Sequence, residues 1–179
     1  PEADYVIPVT GRRGEFQRLH RGPAMVAAVV DATGRVTAVH RTFIDLDHPK
    51  GKLVLADPRK EGAQLPTKKV LGSKKGGAIR LSRRGASGRM LMGEGIETTL
   101  SAMVSAPDRE AETYWCGVDL GNMAGRRQSG RGMKYAGLPD LTDRDAWVPP
   151  DWVDHLIFLQ DGDSEPRLTK AMLQAGLRR

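Results

Sequence analysis

Three carboxylates offer this chain its chemistry: Glu94 within Gly93-Glu94-Gly95, and the pair Asp161 and Asp163 within Asp161-Gly162-Asp163. Each stands where a short apolar run ends. Met90 to Met92 reads as a buried strand, and after the glycine-flanked turn Ile96, Leu100 and Met103 recur at i, i+4 and i+7, which predicts a helix. Leu156 to Leu159 reads as a second such strand. Beyond it Ser164 is the predicted N-cap, Glu165 and Pro166 suit a first helical turn, and Leu168, Ala171, Met172 and Ala175 share a helical face. Open α/β sheets bind ligands at the carboxyl ends of their strands, and glycines at 93 and 95 let a phosphate or metal approach the backbone closely. Two parallel strands ending side by side would gather the three carboxylates around one point. Their mutual repulsion calls for a hard cation, and Mg²⁺ (or Mn²⁺), held by one or two carboxylates plus water and substrate phosphate, meets that need. Taken alone, Glu94 reads equally well as an acid favoured at the N-terminus of its own helix.

The elements that must position these groups have room in 179 residues, enough for one core or for a small and a medium domain. No apolar run approaches the roughly 20 residues of a membrane span, and the opening Pro1-Glu2-Ala3 has no signal-peptide pattern. A lone cysteine, Cys116, excludes an internal disulfide and a cysteine-rich zinc site, and reads as a buried reduced thiol. A cytoplasmic location is expected on these grounds, and the absence of an initiator Met is read as the mark of a piece of a longer protein. The net charge of +6 is uneven: residues 1–90 carry 18 Lys+Arg against 8 Asp+Glu, residues 91–179 carry 10 against 14. A basic first half beside an acidic, metal-ready second half suits a polyanionic substrate.

In chain order, residues 1–23 read as an irregular, basic segment with a short strand near Tyr5 to Ile7. A β-hairpin follows, with strands over 24–30 and 35–44 and a turn at 31–34 where Gly34 supplies positive φ. Residues 45–64 read as a polar loop. A basic glycine-containing loop with Lys74 and Lys75 then leads into a strand at 78–81, and with Arg80 it can track phosphates. Residues 112–117 read as another strand, and the Gly-rich excursion 121–145, with Arg126, Arg127, Arg131 and Lys134, is long enough to be functional or disordered. The predicted domains are a basic N-terminal subdomain over 1–86 and a catalytic domain over 87–179.

The run Gly-Glu-Gly-Ile-Glu-Thr-Thr-Leu-Ser-Ala at 93–102, followed by a strand ending in Asp-Gly-Asp at 161–163, resembles a Toprim domain. With His40-Arg41-Thr42 and Gly-Gly-Ala-Ile-Arg-Leu at 76–81, it is more specifically similar to the Toprim module of phage- and plasmid-type DNA primases. The resemblance implies an α/β fold: a mainly parallel sheet flanked by helices, incomplete at its C-terminus, after a small basic α+β subdomain containing the hairpin. It also implies primer synthesis by Mg²⁺-dependent nucleotidyl transfer, with single-stranded DNA template and nucleoside triphosphates as substrates and a replicative helicase as a partner. Glu94 matches the acid of the first motif, a catalytic residue and metal ligand, and Asp161 and Asp163 match the metal-binding pair. Glu97 and Glu165 are secondary acidic residues, and Arg41, Lys74, Lys75 and Arg80 are the implied phosphate contacts. Ser164-Glu165-Pro166 departs from the glycine and small-residue helix start usual after the aspartates. Three alternatives compete: a haloacid-dehalogenase-type phosphatase, which Glu165 at the fifth motif position disfavours, a Toprim nuclease, and a non-catalytic nucleic-acid-binding module.

Overall fold

The computed structural model describes residues 1–162 and 165–179, so Asp163 and Ser164 lie outside the described residues. In chain order come β1 (Glu2–Pro8), β2 (Phe16–Val30), β3 (Val36–Phe43), β4 (Lys68–Gly72), β5 (Ile79–Arg80), β6 (Arg89–Gly93), α1 (Ile96–Ser105), β7 (Thr113–Cys116), α2 (Leu120–Ala124), a 3-10 turn (Met133–Tyr135), β8 (His155–Leu159) and α3 (Pro166–Leu177). The chain divides into two compact units: residues 1–27 with 39–71, and residues 28–38 with 72–179. No helix among the described residues is long and apolar enough to cross a membrane.

In the first unit β1 and β2 pair antiparallel from Glu2↔Pro23 to Pro8↔Phe16, with an irregularity between Tyr5 and Val6. Tyr5, Ile7, Ala24, Phe43, Leu53 and Leu65 form its core. The Tyr5 and Phe43 rings lie 4.8 Å apart, and the Tyr5 hydroxyl donates to Pro66 O at 2.8 Å. The segment 1–23, expected to be largely irregular, is therefore mostly strand. Tyr5 and Ile7 alternate inward to supply one apolar face. Its arginines take exposed positions and pair across the strands, Arg18 with Asp4 at 3.7 Å and Arg21 with Glu2 at 3.2 Å, so a basic composition is no obstacle to a ladder.

In the second unit the strand order is β5-β7-β6-β8. β6 lies parallel to both β7 and β8, and β5 runs antiparallel to β7. Its core contains Ala78, Met90, Met92, Trp115, Met123, Trp147 and Leu173. The strands and helices predicted around Glu94 and Asp161 occupy β6, α1, β8 and α3.

The fold class differs from the one the resemblance implies. Instead of a mainly parallel sheet flanked by helices behind an α+β subdomain, the molecule is sheet-rich: an antiparallel four-stranded sheet, β1-β2-β3-β4, and a mixed sheet with an antiparallel edge strand. All helices lie outside the first unit. The physical reason in the second unit is the connection from β7 to β8. Gly121, Gly125, Gly130, Gly132 and Gly137 punctuate it, glycine weakens helices, and only the five-residue α2 and a 3-10 turn form there.

Candidate active site

The carboxyl edge of the mixed sheet is set by register. Gly93, the last residue of β6, pairs with Cys116 of β7 on one side and Leu159 of β8 on the other. The three parallel strands therefore end level, and Glu94, Gly117 and Gln160 are the first residues past the edge. Met90 and Met92, both fully buried, anchor β6 beneath it. Gly93 is required for the turn: a Cβ there would lie 2.4 Å from the Thr99 hydroxyl.

Glu94 and Asp161, both half-buried, follow those paired residues by one and two positions on neighbouring strands. Asp161 is held by the Thr98 hydroxyl, which donates to its Oδ1 at 2.6 Å. This bond ties the first turn of α1 to the exit of β8. Glu97 is exposed on that same turn. Glu165 is not placed as an extra ligand: it is the N-cap of α3, accepting from Arg167 N at 3.2 Å and Leu168 N at 2.6 Å, so it fills the role predicted for Ser164. Asp163 lies outside the described residues. Among the described residues no group of three His, Cys, Asp or Glu side chains is assembled for a metal ion. Glu94 and Asp161 nevertheless fit Mg²⁺ in donor type and number, since that ion takes one or two carboxylates and completes its shell with water and phosphate.

Sequence reasoning missed the segment beyond β7. The Cys116 thiol donates to Glu94 O at 3.1 Å and Val118 N donates to Cys116 Sγ at 3.4 Å. Val118 is the only non-glycine residue with positive φ among the described residues, at 74°. A β-branched side chain there is strained, and such strain persists where the surroundings over-determine it. Asp119 then caps α2 by accepting from Asn122 N at 2.9 Å and pairs with the Lys74 ammonium. The signal was available, because Cys116-Gly117-Val118-Asp119 repeats the strand–glycine–acid order of Met92-Gly93-Glu94.

Asn122 fixes the basic loop to this edge. Its buried amide donates to Gly77 O at 2.8 Å and Gly117 O at 2.9 Å, and its carbonyl accepts from Gly76 N at 3.1 Å. Lys74 and Lys75 are thereby presented to a cleft of about 1050 Å³, whose other cations are Arg126, Arg127, Lys134 and Arg144. Four aspartates share its lining: Asp119, Asp140, Asp143 and Asp145. Lys75 pairs with Asp145 at 2.5 Å. Asp143, whose side chain is only 7% exposed, sits opposite the Arg126 and Arg179 guanidiniums at 3.7 and 3.8 Å. Its carboxyl is held below the usual range first by the hydrogen bond from Arg126 N, then by that from Asp145 N and by the two guanidiniums. Asp140 is lowered likewise, chiefly by the Thr142 hydroxyl. The other two expected phosphate contacts are engaged elsewhere. Arg80 donates to Asp31 O at 3.1 Å. Arg41, in the first unit, donates to Asp4 O at 3.2 Å and lies 5.8 Å from the Phe43 ring centroid.

Residues 3–81 match the family described as Domain of unknown function (DUF7146). No curated protein sequence and no solved structure matches the chain.

Proposed function

We propose that the second unit carries out divalent-metal-dependent nucleotidyl transfer on nucleic acid, with primer synthesis from nucleoside triphosphates on a single-stranded DNA template as the reaction. The observation that carries this reading is the register that ends β6 and β8 level and sets Glu94 and Asp161 on adjoining strand exits. The motif resemblance at 93–102 and 161–163 supplies the reaction type.

In this reading Glu94 and Asp161 hold Mg²⁺, with Asp163 as a further ligand from the motif. The bound ion would neutralise charge on the phosphates around the reacting phosphorus. The Thr98 hydroxyl fixes the rotamer of Asp161, so the carboxylate is pre-oriented rather than ordered on binding. Glu94 is the base toward the attacking 3′-hydroxyl. Lys74, Lys75 and the arginines of the cleft hold backbone phosphates. Their aspartate partners keep them in place between turnovers, and a polyanion must compete with those partners, which makes binding steeply salt-dependent.

A calorimetric Mn²⁺ titration with single-stranded DNA and nucleotide present tests the reading. Saturable binding in the wild type that vanishes in Glu94→Gln and in Asp161→Asn, both still folded by circular dichroism, is the expected result. Retention of full metal affinity in both variants would remove the site. Metal-dependent cleavage of the oligonucleotide without primer formation would move the reaction to hydrolysis at the same carboxylates.

A further inference from the structure

The chain has three tryptophans, and all of them, Trp115, Trp147 and Trp152, line one groove of about 520 Å³ in the second unit. Arg80, Pro149, Pro150, Asp31 and Asp151 are also in its lining, as is Gly76. Trp115 and Trp152 meet edge to face with centroids 6.1 Å apart. Each also carries a guanidinium over its ring, Arg80 above Trp115 and Arg84 above Trp152, both at 4.7 Å. Antiparallel pairing explains the first contact, because Arg80 of β5 sits directly opposite Trp115 of β7. Trp115 and Trp147 are 8% and 5% exposed, whereas Trp152 is half-buried and presents its ring to the groove. The Trp115 Nε1–H is buried with no hydrogen-bond partner.

We propose that this groove is a nucleobase-binding subsite: a base of a single strand stacks on Trp152 and its arginine, beside the phosphate track of the basic loop. Three observations favour that occupant. Paired indole and guanidinium planes are the surfaces on which unstacked bases settle without regard to sequence. The loop 74–76 joins the two binding elements directly, since Lys74 and Lys75 line the cleft while Gly76 lines the groove. A strand whose phosphates follow the lysines is therefore led by the same loop to the tryptophan groove. Finally, of the two acids in the groove lining, Asp31 and Asp151, Asp31 is occupied within its own turn, accepting from Thr33 N, the Thr33 hydroxyl and Arg35 N at 2.7–3.0 Å, so the two guanidiniums over the tryptophans outnumber the one acid that remains.

The inference rests on the nucleic-acid reading of the second unit, so the test separates the two. A single-stranded oligodeoxynucleotide is titrated into the full chain in EDTA at low salt, with indole fluorescence and anisotropy followed together, and the titration is repeated with an abasic sugar–phosphate oligomer. Wild type should bind the normal oligomer with fluorescence quenching, and on the order of tenfold more tightly than the abasic one. Trp152→Ala should lose that advantage, binding both oligomers alike. Trp152→Phe should restore most of it, which separates stacking from folding, because Trp152 also packs on the core. Normal binding without quenching, or with equal affinity for the abasic oligomer, overturns the groove and leaves the carboxylate edge standing. No binding of either oligomer by the wild type overturns the groove and the nucleic-acid reading together. Competition by a proline-rich peptide and not by single-stranded DNA transfers the groove to a protein ligand.

Discussion

The two units differ in whether their positive charge gathers at a cleft. In the first, two cations turn onto its own backbone and rings: Lys69 donates to Val6 O at 2.6 Å and lies 4.5 Å from the Tyr5 ring centroid, and Arg41 donates to Asp4 O. Burial first, and the neighbouring Arg41 and Arg59 charges next, push the Lys69 ammonium below its usual value. Arg59 holds Asp57 in a forked pair at 2.8 and 2.9 Å, and its hydrogen bonds bring that carboxyl to about 2. In the second unit the cations converge on an open cleft beside a strand edge that carries carboxylates. A count by halves places the basic character at 1–90, but the residues poised for phosphate straddle that boundary. Where a charge points decides its role, and a composition profile does not record that.

The largest expected effect lies in catalysis. Glu94→Gln and Asp161→Asn should each lower metal-dependent nucleotidyl transfer by about 10²–10⁴-fold, the span associated with a lost acid–base group. Arg41→Met in the first unit should leave the turnover rate within about twofold of wild type, and a radiolabelled-nucleotide incorporation assay reads all three. An Arg41→Met defect as deep as that of Glu94→Gln would break the contrast between the units.

Asn122 ranks next, because stability rather than rate depends on it. Asn122→Ala strips three hydrogen bonds from the buried junction of Gly76, Gly77 and Gly117. Leaving such groups unsatisfied costs about 3 kcal/mol in total, which for a chain of this size lowers Tm by roughly 10 °C. Calorimetry measures it. A Tm unchanged within about 2 °C would mean that the basic loop is held without this residue.

Phosphate binding gives a smaller and sharper comparison. Lys74→Met with Lys75→Met should weaken single-stranded DNA binding by about tenfold and flatten the plot of log affinity against log salt by one to two units of slope. Lys69→Met should change neither, since its ammonium is committed to Val6 O. Anisotropy at several salt concentrations decides between them, and equal slopes for all variants would remove the cleft as the phosphate track.

How much of this was legible depends on the range of each signal. The β6–α1 and β8–α3 units were readable because apolar periodicity and turn glycines are local. The ladder of β1 and β2 was not, since Arg18 and Arg21 obscure a pattern whose partners, Asp4 and Glu2, lie 14 and 19 residues away. The fold class was misread for a related reason: the motifs specify the strand exits, while the helical layer depends on long connections that glycine has loosened. Thr98 and Asn122 were invisible as functional residues, because a hydroxyl or amide acquires its partner only in three dimensions. Asp119 was nearer to legible, being a third acid placed after a strand and a glycine.

The smallest expected effect is on pH dependence, and it again divides the units. Asp143 has a folded pKa held below the ordinary aspartate value, foremost by the hydrogen bond from Arg126 N. A depressed carboxyl contributes stability that is fully present above the unfolded value near ~3.9, and loses it as pH falls through the folded value. The 121–145 excursion should therefore loosen below about pH 4, while the depressed carboxyl of the first unit is Asp57, which Arg59 holds at about 2 and which is not part of the apolar core of Tyr5, Ile7 and Phe43. Amide exchange at Arg126 between pH 5 and 3, corrected for intrinsic rates, reads the first unlocking. Asp143→Asn should weaken the pH dependence to the part that Asp140 supplies and leave exchange faster at every pH, because an amide keeps an acceptor for Arg126 N but not the charge that faces Arg126 and Arg179. If protection at Arg126 instead falls in step with the first unit's amides, the acid transition is global and the cleft has no separate electrostatic latch.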